Sequence, residues 1–185
     1  KDAPRSWEDL LDPKWKGKIA VPDIMDMWVV LAQPNVWGKE KVLDYVTKLA
    51  ANQPKILGWT PALTLVAAGD LPITAEAFLF RATANKDKGA AIEFAKMNPL
   101  VGKGPKSFLS ANPPHPNAAL LWLDWVYSQD GEKAIDEVLN KGNPLAASTR
   151  QAQLIKGVRF DYEDESFYNS SKEFQQELKN RFGIK

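Results

Sequence analysis

Short apolar segments alternate with longer helical segments along the N-terminal half of the chain, and this alternation most restricts the fold. "KIAVPD" places a compact apolar stretch, Ile19 to Val21, between Gly17 and Pro22, a pattern typical of a short buried strand. "KILGW" and "LPITAEA" predict further strands, and the segments between them have helical periodicity. Strands that alternate with helices predict an α/β fold with a mixed, mostly parallel sheet, followed by a helical C-terminal tail.

Start and stop signals delimit the predicted helices. Ser6, with Asp9 three residues later, predicts the N-cap of a short helix that ends before Pro13. In the same way Thr60 predicts an N-cap, and Gly69 predicts the end of that helix.

The remaining elements lead to a division of the chain. Two more strands are predicted at "AAIEFAK" and "KSFLS". Helices are predicted over residues 78–88, 117–127, 131–140 and 172–182. A further amphipathic helix, "KEKVLDYVTKLAAN", has its apolar residues on one face: Val42, Tyr45, Val46 and Leu49. Because the composition becomes irregular after residue 140, we expect an α/β lobe over residues 1–145 and a helical tail over residues 146–185.

Charge and composition argue against several kinds of partner and site. The 24 Lys and Arg residues against 23 Asp and Glu give a net charge of +1, which offers no reason to expect a nucleic-acid partner. The absence of cysteine excludes disulfides and thiolate metal sites. The sequence has no run of about 18 apolar residues, so no membrane-spanning helix is predicted. A single histidine cannot supply a typical zinc site, so we expect no metal site, and we expect no cofactor.

His115 is the only histidine, and it lies between prolines in "NPPHPNAALLWLDWVYSQDGEKAI". A catalytic histidine needs a nucleophile or an orienting carboxylate, yet the chain has no Cys and no G-x-S-x-G motif. Pro116 suits the first turn of a helix, where its missing N–H would be unpaired anyway. The pattern favours a structural role at a helix entrance. That helix is expected to pack an apolar row against a core: Ala119, Leu120, Leu123 and Val126.

A candidate ligand site begins in "PDIMDMW", directly after the first predicted strand. Open α/β sheets bind ligands at the carboxyl ends of their strands. Here Asp23 and Asp26 occupy the turn, and Met27 and Trp28 follow. Carboxylates beside an aromatic face suit a cation better than an anion. In the alternative interpretation, one Asp caps the helix and Trp28 belongs to the core.

Two further strand ends carry similar groups. Trp59 and Thr60 follow the second predicted strand, and Glu76 follows the third. Each alone is a weak signal, because Trp usually packs and an edge Glu is usually solvated. Together the strand ends define a candidate ligand site: Asp23, Asp26, Met27, Trp28, Trp59, Thr60 and Glu76. Carboxylate pairs also serve glycosidases, so a hydrolase using Asp23 or Glu76 stays an alternative.

Several segments resemble a known family. "APRSWEDLLDPKWKGKIAVPD" resembles the crossover segment of bacterial extracellular solute-binding proteins of ABC transporters, within the group of ferric-iron, thiamine, polyamine and phosphonate binders. "AAGDLPIT" resembles the strand that follows in that family. "NPPHPNAALLWLDWVYSQDGEKAI" resembles its helix-entry motif with a Ser–x–(Glu or Asp)–Gly turn, and "KEFQQELKNRFG" its closing helix. The likeness spans nearly the whole chain.

The resemblance implies a type II periplasmic-binding-protein lobe without enzymatic activity. Such proteins have two α/β lobes that close on a ligand, and this sequence starts where the family's chain crosses into the second lobe. We therefore expect a first lobe, of order one hundred residues, to be missing, and the tail to pack on it. The implied partners are a small-molecule ligand, an ABC permease and its ATPase. The implied location is periplasmic or extracellular, with a lipid anchor in a Gram-positive host.

The resemblance also bears on the ligand. Ferric-binding members use adjacent tyrosines in this lobe, whereas Tyr45, Tyr127, Tyr162 and Tyr168 are never adjacent, which argues against iron. The acidic and aromatic strand ends favour an organic cation, such as a polyamine or a thiamine-like compound. A solitary lobe that acts as a protein-interaction module, or one that forms a swapped dimer, is a further alternative.

Overall fold

A computed structural model describes residues 3–104 and 107–184. The chain divides into two compact units. We call Lys1–Lys103 with Val158–Lys185 the larger unit and Gly104–Gly157 the smaller unit. The predicted boundary near residue 145 stays a prediction.

A three-stranded parallel sheet forms the centre of the larger unit. Strand β1 (Ile19–Pro22) lies between β2 (Lys55–Leu57) and β3 (Ile73–Thr74), and both neighbours run parallel to it. All four residues of β1 are buried, as expected for a parallel strand covered on both faces. The first three predicted strands and the parallel sheet are confirmed.

Helices and a second parallel ladder complete the larger unit. Strand β4 (Leu100–Gly102) pairs with β5 (Phe160–Tyr162), and a Cβ on Gly102 would overlap the ring of Phe160. Two short 3-10 helices, Glu8–Leu11 and Pro13–Trp15, precede β1. The helices of this unit are α1 (Asp26–Leu31), α2 (Lys39–Ala51), α3 (Trp59–Ala68), α4 (Leu79–Asp87), α8 (Glu165–Asn169) and α9 (Lys172–Arg181).

An aromatic cluster anchors the main core. The ring of Trp7 lies edge-on to Trp28, with centroids 5.9 Å apart, and edge-on to Tyr45, at 6.2 Å. The Tyr45 hydroxyl donates to the main-chain oxygen of Trp7 at 2.6 Å, and Trp7 Nε1 donates to the oxygen of Pro99 at 2.9 Å. These bonds satisfy polar atoms that would otherwise be buried unpaired.

Two helices bury the faces that their periodicity predicts. The four apolar residues predicted for α2 are all buried in this core. Helix α9 packs against α1 and α2, and it buries Phe174 and Leu178 in the same core. The apolar face of α9 is therefore engaged within the larger unit.

The smaller unit contains α5 (Pro116–Val126), α6 (Gln129–Leu139) and α7 (Arg150–Leu154). Ser128 caps α6, since its Oγ accepts from Gly131 N–H at 3.2 Å. A side chain at Gly131 would collide with the backbone of Trp125. The Ser–x–Asp–Gly turn thus combines a cap with a close approach of backbone. His115 occupies the N-cap position of α5, and its main-chain oxygen accepts from Ala119 N–H at 3.0 Å.

Four sequence-based predictions about local structure are wrong. "AAIEFAK" forms no strand, because its backbone makes local bonds such as Ile92 N–H to the oxygen of Ala90 at 2.9 Å. Residues 107–110 form no strand either, and residue 106 lies outside the described residues. Thr60 is inside α3, whose N-cap is Gly58. Helix α5 has no buried residue, and Leu120 is 53% exposed.

No helix within residues 3–104 and 107–184 is long and apolar enough to cross a bilayer.

We predict that Gly131→Ala lowers the free energy of unfolding by about 1–3 kcal/mol, because the new Cβ would overlap main-chain atoms that cannot move aside. Urea titration followed by circular dichroism measures the change. Gly58→Ala is the matched control: its φ is −68° and its nearest new contact, Pro61 Cδ, lies at 3.5 Å. That variant should lose less than about 1 kcal/mol. Equal losses in the two variants would contradict the steric explanation.

Candidate functional site at the strand ends of the larger unit

The three parallel strands bring their carboxyl ends to one edge of the sheet. Asp23 follows β1 and its N–H donates to the oxygen of Leu57 in β2 at 3.1 Å. Ala75 follows β3 and its N–H donates to the oxygen of Ala20 in β1 at 2.9 Å. The turns after β1, β2 and β3 are therefore neighbours, as the sequence predicted. We call this region the strand-end edge; it includes Asp23, Asp26, Trp59, Thr60 and Glu76.

Glu76 is the most unusual group at the strand-end edge. Only 7% of its surface is exposed, and both carboxyl oxygens are buried without a hydrogen-bond partner among residues 3–104 and 107–184. The hydroxyl of Thr74 donates to the main-chain oxygen of Glu76 at 2.8 Å, which holds the backbone but leaves the carboxyl group unbonded. A buried carboxyl group without partners is rare in a folded protein, because ionising it there is costly.

Burial raises the pKa of Glu76 from 4.5 to about 8. The nearby side chain of Trp59 partly opposes this rise, although the indole and the carboxyl group do not reach hydrogen-bond geometry. The negative charge of Asp26 adds to the rise. Glu76 is therefore mostly protonated at neutral pH.

Aromatic rings form one side of the strand-end edge. The ring of Trp59 meets that of Phe78 at a centroid distance of 4.6 Å, and Phe80 continues the row at 5.5 Å from Phe78. The guanidinium group of Arg81 lies 5.5 Å from the Phe78 centroid and donates a hydrogen bond to the hydroxyl of Thr60. Sequence reasoning missed Phe78, Phe80 and Arg81, although "AFLFR" directly follows the Glu76 turn.

Asp26 is the first residue of α1, and its carboxylate is held from two sides. Lys103 Nζ lies 3.1 Å from Oδ2, and the Tyr168 hydroxyl donates to Oδ1 at 2.5 Å. Lys103 also lies 3.7 Å from the centre of the Tyr168 ring and 3.6 Å from Glu163 Oε2. These contacts connect the start of α1 to the ends of β4 and β5 and to α8.

The same contacts set the protonation state of Lys103. Burial alone would lower its pKa, but the hydrogen bonds to Tyr168 and Asp26 outweigh burial and raise it. Lys103 is thus a firmly charged partner of Asp26. Sequence reasoning did not find Lys103, Glu163 or Tyr168 as members of this region, because their contacts join segments far apart in the chain.

The other predicted site residues differ in exposure. Asp23 is exposed, and Met27 is half-buried. Trp28 has no exposed surface and lies in the aromatic core, 5.9 Å from Trp7 and 6.0 Å from Phe182 between ring centroids. This placement matches the alternative in which Trp28 is a core residue. Within residues 3–104 and 107–184, no three His, Asp or Glu side chains cluster in a way that could hold a metal ion.

Comparison with known proteins identifies the family of the chain. The profile of the bacterial extracellular solute-binding protein family matches residues 1–95, which is half of the chain. The chain belongs to this family. The family resemblance drawn from the sequence is therefore confirmed, and solute binding outside the cytoplasm is the general role that the family description states.

Two further matches extend the comparison. An uncharacterized protein of Haemophilus influenzae is 29% identical over 180 residues, which cover 88% of this chain and 51% of that protein. The solved structure of the periplasmic binding protein P5PA matches with a TM-score of 0.63 at 21% identity, over 99% of this chain and 61% of that one. The predicted α/β fold is confirmed. The chain spans less than two thirds of the length of either protein.

We predict that the stability of the chain relative to Glu76→Gln falls as pH rises. The folded-state pKa of Glu76, about 8, lies above its ordinary value of 4.5, so folding favours the protonated form. That contribution is complete below about pH 4.5 and is lost as pH rises to about 8. The amide of the variant does not titrate, so the difference should change by at most about 1.4 kcal/mol per pH unit between those limits.

Denaturant titrations of both proteins at several pH values measure this difference. Glu40→Gln, a change of an exposed carboxyl group at the start of α2, is the matched control and should track the unchanged protein at every pH. A stability difference that stays constant from acid to alkaline pH would show that folding does not raise the pKa of Glu76.

Proposed function

We propose that this chain is one lobe of the substrate-binding component of an ABC import system. It would bind a small solute at the strand-end edge, and a further lobe would close over the ligand by a hinge motion. Family membership supports the solute-binding role. The parallel sheet supports the location, since open α/β sheets bind ligands at the carboxyl ends of their strands.

We propose an organic cation, such as a polyamine or a thiamine-like compound, as the ligand class. The observation that carries this proposal is the buried carboxyl group of Glu76, which lacks a partner in the described part of the chain and lies near the Trp59 indole. A cationic nitrogen would supply both the missing hydrogen bond and the missing charge. Aromatic faces such as that of Trp59 attract cations as well.

The charged groups around the strand-end edge also favour a cationic ligand. Asp23, Asp26 and Glu163 are acidic, while Lys103 is already engaged with Asp26. Arg81 extends over the Phe78 and Phe80 rings toward Thr60. The balance at the strand-end edge is acidic, which favours a cation over an anion.

A hydrolase that uses Asp23 or Glu76 is the second candidate. The raised pKa of Glu76 favours it, because a general acid must hold its proton near neutral pH. Membership of a solute-binding family favours a binding protein. Turnover of nitrophenyl glycosides that disappears in Asp23→Asn would support the enzyme and overturn the binding proposal.

The smaller unit supplies a surface for the further lobe. Leu121 is 70% exposed, Trp122 60% and Trp125 40%, so one apolar helix, α5, presents large side chains to solvent. Exposed apolar surface of this kind marks an interaction site. Since relatives are much longer than this chain, we propose that the further lobe of the binding protein covers α5. In a swapped dimer, or in a protein-interaction module, a second chain would cover α5 instead.

The remaining partners follow from the transport proposal. An ABC permease and its ATPase would receive the ligand from the closed protein. The location would be periplasmic, or extracellular with a lipid anchor in a Gram-positive host. These assignments rest on the family alone.

We predict that putrescine, spermidine or thiamine raises the melting temperature of the chain, whereas sulfate and methylphosphonate do not. Trp59→Ala should weaken binding of the cation by about 5- to 30-fold, as expected for loss of a cation–π contact of about 1–2 kcal/mol. Trp122→Ala removes an exposed indole of the smaller unit and is the matched control, which should bind as the unchanged chain does. Stabilisation by the anions with none by the cations would overturn the proposed ligand class.

A further inference from the structure

Two carboxyl groups at the strand-end edge lie in opposite environments. Asp26 has a cation at 3.1 Å and a hydroxyl donor at 2.5 Å. Glu76 has neither among the described residues, and both of its oxygens are buried. Asp26 is nevertheless close enough for its negative charge to act on Glu76. In the free chain Asp26 is therefore an ion-paired carboxylate, whereas the carboxyl group of Glu76 has no cation or hydrogen-bond donor among the described residues.

The surroundings of Glu76 keep its proton in place. From α1 the negative charge of Asp26 acts on it, and the Asp26 carboxylate is itself bonded by Lys103, which follows β4, and by Tyr168 of α8. From the start of α3 it meets Trp59, whose indole does not titrate. Like charge and burial both oppose ionisation, so the neutral carboxylic acid is the stable form in the free chain.

We propose that capture of an organic cation displaces the proton of Glu76 to solvent, so that the ionised carboxylate becomes the counter-ion of the ligand. The O–H bond of the carboxylic acid breaks, its electron pair stays on the carboxylate, and the proton passes to buffer. The ligand's N–H group then donates to the carboxylate oxygen. This inference rests on the proposed cation-binding function, and it adds that binding is coupled to the release of one proton.

The coupling sets the direction of the pH dependence. While Glu76 is protonated in the free chain, each cation bound releases a proton, so affinity rises by up to about tenfold per pH unit. The rise ends once Glu76 is already ionised before the ligand arrives, above about pH 8. A ligand that accepts a hydrogen bond from protonated Glu76 would show the opposite trend, with affinity lost at high pH.

Isothermal titration calorimetry measures the released proton directly. Putrescine and thiamine are titrated into the chain near neutral pH, in phosphate and in Tris, two buffers with different ionisation enthalpies. The observed enthalpy should differ between the buffers by an amount that corresponds to nearly one proton released. Glu76→Gln should release none and bind at least about tenfold more weakly, because its amide cannot ionise. Glu40→Gln, far along the chain on α2, should behave as the unchanged protein does.

The outcomes separate this inference from the proposed function. Cation binding without proton release, or with release that persists in Glu76→Gln, would overturn the coupling and leave the cation site standing. If neither putrescine nor thiamine binds, the proposed ligand class and the coupling are both overturned. A ligand-free measurement adds an independent check: the side-chain carboxyl ¹³C resonance of Glu76, assigned by its loss in Glu76→Gln, should titrate near pH 8. Titration at an ordinary glutamate pH would overturn the inference.

Discussion

Ile19, Ala20 and Val21 have no exposed surface, and both sheet neighbours of this strand run parallel to it. A parallel strand buried in this way needs helices on both faces, and each connection back to the sheet must cross over through one of them. The same constraint brings three strand ends to one edge. Asp23, Trp59 and Glu76 thus lie at the same edge because the strands before them run in the same direction. Contacts between these side chains are not needed to bring them there.

Local signals made much of this arrangement predictable from the sequence. Apolar runs between Gly and Pro predicted β1, and helical periodicity predicted the buried face of α2, because both depend only on neighbouring residues. "AAIEFAK" was misleading for the same reason: its apolar residues resemble those of a strand, but its backbone bonds locally and joins no ladder. Nothing local indicated that β4 pairs with β5, since these strands are separated by more than fifty residues.

The sequence could predict where the candidate site lies, but not the burial, contacts and charge of its residues. Strand order is a rule of the fold, so the residues after each strand could be named in advance. Their environments could not, because burial and partners come from distant segments. Asp26 is balanced by Lys103 and Tyr168, which lie 77 and 142 residues away, whereas Glu76 is enclosed without such partners in the described chain. Two acidic residues with the same sequence signal therefore hold different charges.

The larger unit is formed by two separate stretches of chain, and in the sequence the residues of the smaller unit come between these stretches. Its core includes Leu178, and the ring of Phe182 lies 6.0 Å from that of Trp28. During synthesis, β1 and the aromatic residues around Trp28 leave the ribosome long before α9 does. Part of the apolar core of the nascent lobe therefore stays exposed to solvent until α9 has been synthesised and packs against it. Completion of this lobe requires α9, which is synthesised long after its central strand.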